Sequence, residues 1–237
     1  MNNRKVLIII PTYNEAQNIK DFINEIFKFN DNSHVLVIDD NSPDGTAKIV
    51  KSLVDKNDDR LFLLERPGKM GLASAYITGF KWGMEKGYEL FIEMDADFSH
   101  DPKYLNKMLE LSGENDCVIG SRYVKNGGVK GWGLVRKFIS KGGSLYSRMI
   151  LGIPVKDLTG GFNLWKKEVL ENIGLDEIIS NGYLFQIELK YRSYKKRYKI
   201  YEMPIIFEDR VHGKSKMSKK IFIEAVLKIW RLKFIKF

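Results

Sequence analysis

The sequence predicts an α/β fold, a Rossmann-like, mostly parallel sheet flanked by helices, and three observations carry this prediction. Short runs of aliphatic and β-branched residues alternate along the chain with stretches whose apolar residues recur at helical spacing, as in βαβ units. These runs show little alternation of apolar and polar residues, which is typical of strands buried on both faces. Polar or acidic residues follow the runs directly, at the edge where open parallel sheets bind ligands.

The strand predictions of the first half come from its continuous apolar runs. Each run is followed at once by a proline or an acidic residue, which gives it a sharp end. The predicted strands cover residues 6–10, 35–38, 61–64 and 90–94.

Apolar spacing between those strands predicts three helices. The first begins at Asn14 or Glu15. The second follows the turn and helix-start cluster 42–46, in which Asp44 is expected to act as a turn or capping residue. The third covers residues 75–84.

The second half of the chain is less regular. A short strand, two helices and a longer strand are predicted there, with a glycine pair interrupting the first helix and a proline marking an edge position or a bend in the strand. These elements cover residues 117–120, 134–151 with Gly142 and Gly143, 182–195, and 200–207 with Pro204.

The composition is that of one compact globular unit. Hydrophobic residues make up 44% of the 237 residues and charged residues 29%, and a chain of this length can bury a substantial core. The formal net charge of +9 favours phosphorylated substrates, anionic membranes or polyanions without choosing among them. Because the chain contains no base-reading module, we expect no nucleic-acid partner.

Several kinds of site are excluded by the residues present. Cys117 is the single cysteine, so neither an internal disulfide nor a cysteine-based metal site can form. The three histidines are dispersed, which argues against zinc and leaves His100 as a loop residue. No dinucleotide-binding glycine motif or P-loop lysine motif is present. The apolar runs are too short for a secretory signal or a membrane span, so we expect a soluble or peripheral, cytoplasm-facing protein.

The most informative motif is Met-Asp-Ala-Asp at residues 94–97. It places Asp95 and Asp97 one residue apart where a predicted strand ends. A tight carboxylate pair at that edge can hold a hard divalent cation against phosphate groups. A solvated acidic turn or a helix cap remains the alternative for this motif taken alone.

Two further motifs follow the first and second predicted strands. Pro11, Tyr13 and Glu15 offer a rigid turn, an aromatic face and a carboxylate, on which a nucleotide base could stack. A proline turn followed by a capping Asn14 is the alternative. Asp39 can accept hydrogen bonds from a base or a ribose.

Taken in order, the motifs resemble the inverting GT-A glycosyltransferases of family 2, and among them the dolichol-phosphate mannose synthase family. The resemblance runs from about residue 5 to residue 220. It rests on the segments 11–15 (PTYNE), 38–46 (IDDNSPDGT), 94–97 (MDAD), 120–123 (GSRY), 126–129 (NGGV), 157–162 (DLTGGF) and 209–216 (DRVHGKSK).

For the sugar donor, the resemblance implies a diphosphate site and a nucleoside site. Asp95, Ala96 and Asp97 would contact the diphosphate, and Asp95 and Asp97 would also hold Mg²⁺ or Mn²⁺. Ser99 matches a position that carries a metal-binding glutamine in some relatives, and its role is left open. The nucleoside of GDP-mannose would be held by Pro11, Tyr13, Glu15, Val37 and Asp39.

The resemblance also implies three cations that gather phosphate groups, Arg122, Arg210 and Lys216. Guanidinium and ammonium groups neutralise phosphate oxygens well, although a solvated basic loop is the alternative for the last two. Asp97, Arg210 and Lys216 are the implied catalytic residues, positioning the cation and balancing charge during transfer. The segment 157–162 fits either a sugar contact or an Asp-capped glycine turn.

The activity implied is transfer of mannose from GDP-mannose to dolichyl or another polyprenyl phosphate with inversion. A lipid phosphate is already an anion near neutral pH and can attack the anomeric carbon directly, so no dedicated base is needed. Glucosyl transfer from UDP-glucose to the same acceptor is the rival enzymatic interpretation. A nucleotide- or lipid-binding subunit without activity is the rival of another class.

The resemblance further implies a single GT-A domain and a place for it in the cell. We expect peripheral contact with the cytoplasmic face of a membrane, the endoplasmic reticulum in a eukaryote or the plasma membrane in a prokaryote, with small membrane-anchoring subunits as candidate partners. The final segment is amphipathic and suits either a lipid interface or packing on the domain. The domain covers residues 1–237, with a nucleotide-binding half of about 1–115, an acceptor-side half of about 116–216 and the amphipathic segment 217–237.

Overall fold

The structure is a computed structural model that describes residues 4–30, 32–54, 59–209 and 228–235. Its strands are short, as expected for a sheet covered by helices. They are β1 (Val6–Thr12), β2 (His34–Asp39), β3 (Leu61–Glu65), β4 (Leu90–Glu93), β5 (Cys117–Ser121), β6 (Gly128–Val129), β7 (Asn163–Lys166), β8 (Ile200–Pro204) and β9 (Ile206–Phe207).

Helices connect most of these strands. None of the described helices is long and apolar enough to cross a membrane. Two single 3-10 turns occur at Pro102–Tyr104 and Leu175–Glu177, and residues 228–234 are helical. The α-helices are α1 (Ile19–Phe29), α2 (Thr46–Val54), α3 (Leu72–Glu85), α4 (Leu105–Leu111), α5 (Leu134–Leu151), α6 (Lys167–Asn172) and α7 (Tyr183–Lys195).

The main sheet has seven strands in the order β3-β2-β1-β4-β7-β5-β8. Strands β1 to β4 pair in parallel, and so do β5 and β8. Strand β7 runs antiparallel between β4 and β5, while β6 and β9 form a separate two-stranded ladder. The predicted mostly parallel sheet is therefore confirmed, and β7 is its one antiparallel member among the described strands.

Burial on both faces explains the unbroken apolar runs. In β1, Ile8 and Ile10 belong to the core cluster that includes α1, α2 and α4. Leu7 and Ile9 point to the opposite cluster, which includes α3, α6 and α7. All four side chains are fully buried, so neither face of the strand offers a position for a polar residue.

Parallel pairing brings the carboxyl ends of β1, β2 and β4 to one edge of the sheet. Thr12 of β1 lies beside Asp39 of β2, and Ile9 lies beside Glu93 of β4. Strand β1 stands between β2 and β4, where the strand order reverses. Ligands of open α/β sheets bind in the crevice at such a switch point, and the acidic segment after β4 lies there.

The predicted strands of the first half and the strand at 117–120 are confirmed, with ends that differ by one or two residues. The predicted strand 200–207 divides into β8 and β9 at Ile205. Pro204 ends β8, which is the last strand in the sheet order, so its predicted edge position is confirmed. Strand β7 and the helices α4 and α6 have no counterpart in the sequence predictions.

The predicted start of the first helix is wrong. Helix α1 begins at Ile19. Asn14 has a φ of 64°, a left-handed conformation that a right-handed helix excludes. A turn follows, in which the Asn18 amide donates to the Glu15 carbonyl at 3.0 Å. The loop after β1 is therefore longer than the apolar spacing indicated.

The predicted interruption of the helix at 134–151 is also wrong. Helix α5 runs continuously through Gly142 and Gly143, although two interior glycines cost about 1 kcal/mol each. Ile150 and Leu151 bury its last turn in a core cluster, and Gly152, with a φ of 68°, ends it as a left-handed C-cap. Tertiary packing outweighs the local preference.

Close packing of α3 on the sheet gives a stability test. A Cβ atom at Gly83 would lie 2.5 Å from Phe91 Cε1 and 2.6 Å from Leu7 Cδ2, whereas one at Gly142 would meet nothing within 4 Å. We expect Gly83→Ala to lower the free energy of unfolding by about 1–2 kcal/mol, since overpacking outweighs the gain in helix propensity. Gly142→Ala should raise it by up to about 1 kcal/mol.

Urea denaturation of the two variants and the parent chain measures both changes. Equal or greater stability of Gly83→Ala relative to Gly142→Ala would contradict the tight contact between α3 and the sheet.

Candidate active site

The acidic segment after β4 forms a tight loop. Asp97 is 5% exposed, and its Oδ1 atom accepts hydrogen bonds from the Ser99 amide at 3.1 Å and the Ser99 hydroxyl at 2.5 Å. Phe98 has a φ of 62°, so the chain bends back through the left-handed region between them. Ser99, whose role the sequence left open, donates its hydroxyl to the Asp97 carboxylate and so holds it in place.

His100 anchors the backbone of the same loop. Its Nδ1 atom accepts a hydrogen bond from the Asp95 amide at 2.9 Å. The buried ring stacks on Phe162 with 5.1 Å between centroids and meets Phe207 edge-on at 5.7 Å. The sequence predicted only a loop residue at position 100. In the structure, the His100 side chain holds the backbone amide of Asp95.

Tyr76 supports the loop from helix α3. It is fully buried, its hydroxyl donates to the Met94 carbonyl at 3.4 Å, and it is hydrogen-bonded to the Asp95 side chain. Burial, with the nearby charges of Asp95, Glu93 and Asp97, raises the pKa of Tyr76 well above its usual value. The phenol therefore stays protonated and serves as a donor to the acidic loop.

The acidic loop carries two side chains that could hold a divalent cation. Asp95 and Asp97 supply hard carboxylate oxygens from one loop, at the switch point of the sheet. Within the described parts of the chain, no group of three or more His, Cys, Asp or Glu residues could enclose a metal. A pair of carboxylates suits Mg²⁺ or Mn²⁺, which take their remaining ligands from phosphates and water.

Asp39 ties the end of β2 to the end of β1. Its fully buried carboxylate accepts hydrogen bonds from the Thr12 hydroxyl at 2.8 Å, the Ser42 hydroxyl at 2.6 Å and the Ser42 amide at 2.8 Å. The structure thus shows Asp39 organising the crevice wall. Direct contact with a base or ribose stays a prediction.

Asp44 joins the loops that follow β1 and β2. Its carboxylate accepts from the Thr46 amide and hydroxyl at 3.0 and 2.6 Å and from the Ala16 amide at 3.0 Å. Burial raises its pKa, but the hydrogen bonds from Thr46 and Ala16 outweigh this effect and hold the pKa below its usual value. Of the two predicted roles, turn or cap, the turn is confirmed, and Asp44 also links two loops.

The aromatic face predicted at the mouth of the crevice lies beside a cation. Tyr13 is half-buried, and Lys69 Nζ stands 4.5 Å from the centroid of its ring. Buried Arg66 donates to Asp40 at 2.6 Å and to Ser74 at 2.8 Å, which fixes the segment that carries Lys69. The pairing of Arg66 with Asp40 was not predicted from the sequence. The available signal was an arginine directly after the third strand, together with the Asp39-Asp40 doublet at the end of the second.

Arg122 follows β5 and is held by the segment 157–162. Its Nε and Nη2 atoms donate to the two carboxylate oxygens of Asp157, each at 2.7 Å, and Nη2 also donates to the Thr159 hydroxyl at 2.9 Å. Burial raises the pKa of Asp157, but the Arg122 charge and hydrogen bonds lower it below its usual value. These hydrogen bonds from Arg122 to Asp157 and Thr159 fix the orientation of the guanidinium group.

A buried charge network lies beneath that segment. Lys190 of α7 donates to the carbonyls of Asp157, Leu158 and Gly160 at 3.2, 3.3 and 2.6 Å. Burial lowers its pKa to about 8. Lys190 could not be predicted from the sequence, because helical spacing alone does not show that a lysine points into the protein.

Glu93, the last residue of β4, lies in the same network. It is fully buried and accepts hydrogen bonds from Trp165 at 2.9 Å, Asn163 at 2.8 Å and Gln186 at 3.0 Å. Burial raises its pKa to about 7, against the lowering effect of those donors and of the Lys190 charge. A glutamate ending an apolar strand just before the acidic pair was the available signal in the sequence.

The structure brings most of the predicted site residues to one edge of the sheet. Val37 and Ala96 have buried side chains, and both belong to the same core cluster. Arg210 and Lys216 lie outside the described residues, as does most of the predicted basic loop. On or shortly after β1, β2 and β4 lie Pro11, Tyr13, Glu15, Val37, Asp39, Asp95, Ala96 and Asp97.

Sequence comparison gives a family for the chain. The model of Glycosyl transferase family 2 matches residues 7–174. A polyprenol monophosphomannose synthase of Mycolicibacterium smegmatis is 40% identical over 227 residues, which are 95% of this chain and 86% of that protein. An undecaprenyl-phosphate mannosyltransferase of Micrococcus luteus is 43% identical over 227 residues, which are 96% of this chain and 93% of that protein.

Solved structures share the fold at low sequence identity. A glucosyl-3-phosphoglycerate synthase of Mycobacterium tuberculosis, in complex with Mn²⁺, UDP and phosphoglyceric acid, matches with a TM-score of 0.72, 16% identity, and coverage of 99% of this chain and 80% of that one. A mannosyltransferase of Pyrobaculum calidifontis, in complex with GDP-Man and Mn²⁺, matches with a TM-score of 0.60, 19% identity, and coverage of 89% and 58%. The predicted GT-A fold is confirmed.

The raised pKa of Glu93 gives a stability prediction. Between its usual pKa near 4.5 and about 7, the folded protein holds a proton that the unfolded chain has lost. The contribution of Glu93 to the free energy of unfolding is therefore complete below pH 4.5 and is lost as the pH rises through about 7. Glu93→Gln cannot titrate, so its stability relative to the parent chain should rise by on the order of 2 kcal/mol from pH 5 to 8.

Urea denaturation of both proteins at several pH values measures this difference. A constant offset between them reflects the altered hydrogen bonds of the amide, and its change with pH reports the titration of Glu93 together with its charged neighbour Lys190. Parallel stability curves for the two proteins would contradict a raised pKa.

Proposed function

The chain belongs to glycosyl transferase family 2, and we propose that it transfers mannose from GDP-mannose to a polyprenyl phosphate such as dolichyl phosphate. One observation carries this proposal. Two relatives that match along nearly the whole chain, at 40% and 43% identity, are named for mannosyl transfer to polyprenol or undecaprenyl phosphate. The motifs that would bind the nucleotide, as the resemblance implies, lie together at the switch point of the sheet. Their position supports a sugar nucleotide as donor.

The chemistry follows from the nature of the acceptor. An oxygen of the lipid phosphate, already an anion, attacks the anomeric carbon of mannose and forms the new bond. The bond from that carbon to the GDP oxygen breaks, and GDP leaves with the electron pair. Attack from the face opposite the leaving group inverts the configuration and gives a β-mannosyl phosphate. Because the acceptor oxygen is already an anion, no residue of this chain has to act as a base.

Asp95 and Asp97 would hold Mg²⁺ or Mn²⁺ beside the diphosphate. Such a cation supplies Lewis-acid stabilisation of the departing GDP. The chain's own part is to keep the carboxylates in place: Ser99 holds Asp97, His100 holds the Asp95 amide, and Tyr76 donates to Asp95. This order before binding lowers the cost of rearrangement during the reaction.

The cations balance the charge of the phosphates. We assign Arg122 to the alignment of a donor or acceptor phosphate, since Asp157 and Thr159 fix the plane of its guanidinium. Arg210 and Lys216 are assigned to charge balance during transfer on their motif alone. Because the acceptor is a lipid, we place the enzyme peripherally at the cytoplasmic face of a membrane, with small anchoring subunits as candidate partners.

The role of Asp97 is testable with a matched control on the same loop. Asp97→Asn keeps the side-chain shape but removes the charge, and we expect it to reduce metal-dependent mannosyl transfer by about 10²-fold or more. Asp101→Asn alters an acid whose carboxylate caps the Lys103 amide instead, at 2.9 Å, and should keep nearly full activity. Transfer from radiolabelled GDP-mannose is measured with Mg²⁺, with Mn²⁺ and with chelator, and thermal unfolding checks the fold.

An active Asp97→Asn protein that is indifferent to chelator would contradict the assigned metal role. Equal losses in the two variants would show that the loop as a whole is sensitive rather than this carboxylate.

Donor choice separates the proposal from glucosyl transfer. We expect unlabelled GDP-mannose in large excess to suppress the labelling of polyprenyl phosphate from radiolabelled GDP-mannose, and unlabelled UDP-glucose to leave it nearly unchanged. Direct incubation with radiolabelled UDP-glucose should give no lipid product. A labelled glucolipid as the main product would overturn the mannosyl assignment, and absence of any sugar lipid with either donor would support a subunit without activity.

A further inference from the structure

Phe207 of β9 contacts groups from both sides of the candidate site. Its ring is buried. The rings of His100 and Trp132 each meet it in a T-shaped arrangement, with 5.7 and 5.3 Å between centroids. The guanidinium of Arg122 lies over it, with its Cζ atom 5.4 Å from the Phe207 centroid. One side chain therefore contacts both the residue that holds the acidic loop and the cation that follows β5.

On the side of the acidic loop, the contact of Phe207 is with His100. The Nδ1 atom of His100 accepts a hydrogen bond from the Asp95 amide at 2.9 Å, which requires one orientation of the ring. Phe162 stacks on that ring with 5.1 Å between centroids and 15° between the planes, and Phe207 packs against it as well. In a close-packed interior, the imidazole cannot turn away from the Asp95 amide without displacing these two neighbours.

On the other side, the contact of Phe207 is with Arg122. Hydrogen bonds to Asp157 and Thr159 fix one edge of the guanidinium. The Cζ atom of Arg122 also lies 5.4 Å from the centroid of Phe207 and 5.5 Å from that of Trp132. A cation within about 6 Å of an aromatic centroid is attracted by the face of the ring. Hydrogen bonds along one edge allow the guanidinium to tilt, and the two rings limit that tilt.

The backbone of β9 is attached to both sides as well. The Ile206 amide donates to the Tyr104 hydroxyl at 2.9 Å, and Tyr104 ends the 3-10 turn that follows the acidic loop. The Phe207 carbonyl accepts a hydrogen bond from the Lys130 amide at 2.8 Å, in the short segment that joins β6 to Trp132. The ladder of β6 and β9, which is separate from the main sheet, therefore places the Phe207 ring between these two segments.

The main sheet leaves a gap between the two sides of the site. Strand β4 leads into the acidic loop and β5 leads into Arg122, but β7 runs between these strands. Two strand spacings, about 10 Å, therefore separate the carboxyl ends of β4 and β5. No backbone ladder joins β4 directly to β5 within the described sheet, so the relative position of the two loops depends on side chains that span the gap.

We propose that Phe207 is a positioning residue, which holds the acidic loop and Arg122 in one fixed arrangement through an aromatic bridge. The aromatic bridge consists of His100, Phe207 and Trp132. Aromatic side chains have few rotatable bonds, so a ring that is enclosed by its neighbours passes a displacement of one neighbour on to the next. Phe207 is the central ring of the three, and it is the one that also contacts Arg122 while it packs against His100.

The consequence of the bridge for catalysis rests on the proposed function. There, Asp95 helps to hold a cation beside the donor diphosphate, and Arg122 aligns a phosphate. Their relative position then affects the rate, since a misplacement of about 1 Å can cost about 10²-fold. The bridge itself is a property of the free protein, and it is measured without donor or acceptor. Its failure and the failure of the mannosyl assignment are therefore distinguishable.

NMR of the free full chain tests the bridge. His100→Asn keeps a side-chain oxygen for the amide of the acidic loop but removes the ring that packs against Phe207. We expect this change to shift the Arg122 Nε–H signal and the indole N–H signal of Trp132, which is buried, because Phe207 loses a contact that fixes it. In a Phe207→Leu background the same change at His100 should leave both signals unmoved. Thermal unfolding checks that each variant is folded.

Transfer assays with a matched control test the positioning role. Phe207→Leu keeps apolar bulk but loses the ring, and we expect kcat for mannosyl transfer to fall at least about tenfold while KM for GDP-mannose changes less than about threefold. Phe62→Leu is the control, since that ring also contacts a histidine and a tryptophan, His34 at 6.0 Å and Trp82 at 5.0 Å, but belongs to β3 at the far end of the sheet. It should keep nearly full kcat.

The outcomes of the two experiments are distinct. The proposal is overturned if His100→Asn leaves the Arg122 and Trp132 signals unmoved, if it shifts them equally without the Phe207 ring, or if Phe207→Leu and Phe62→Leu have the same kcat. A parent chain that transfers no mannose contradicts the proposed function instead, and the NMR signals then still decide whether the bridge exists.

Discussion

The buried ammonium of Lys190 is the interaction on which the organisation of the crevice depends. Taking a charge out of water is costly unless its hydrogen bonds are made and opposite charges lie near. Three carbonyls of the segment 157–160 accept the hydrogen bonds of the ammonium, and the charges of Asp157 and Glu93 raise its pKa against the effect of burial. The Gly160 carbonyl is shared with Asn163, which also donates to Glu93 at the end of β4. Asp157, fixed by the same segment, in turn holds Arg122. One network thus joins β4, the strand that leads into the acidic loop, to Arg122 after β5.

The acidic residues of the crevice hold the surrounding loops in place through hydrogen bonds. Asp39 joins the ends of β1 and β2, Asp44 joins the loops that follow them, and Asp97 closes its own loop through Ser99. A ligand therefore meets groups whose positions are already set, which favours catalysis by preorganised electrostatics.

The features that depend on a local pattern of residues were predicted correctly from the sequence. Continuous apolar runs located the strands, and the acidic pair at 94–97 is at the predicted edge of the sheet. The insertion of β7 between β4 and β5 could not be predicted, since strand order depends on long-range packing. The predictions made from Asn14 and from the glycine pair of α5 were wrong, because a backbone conformation and a tertiary contact outweighed helix propensity. The supports of the site, His100 among them, join elements far apart in sequence, so no spacing rule reveals them.

We propose above that a polyprenyl phosphate attacks the anomeric carbon of mannose directly, from the face opposite GDP. The most direct test is the anomeric configuration of the lipid formed from GDP-mannose and a polyprenyl phosphate, read from the one-bond carbon–hydrogen coupling of the purified product by NMR. We expect a β-mannosyl phosphodiester. An α-linked product, or free mannose with no sugar lipid, would contradict it.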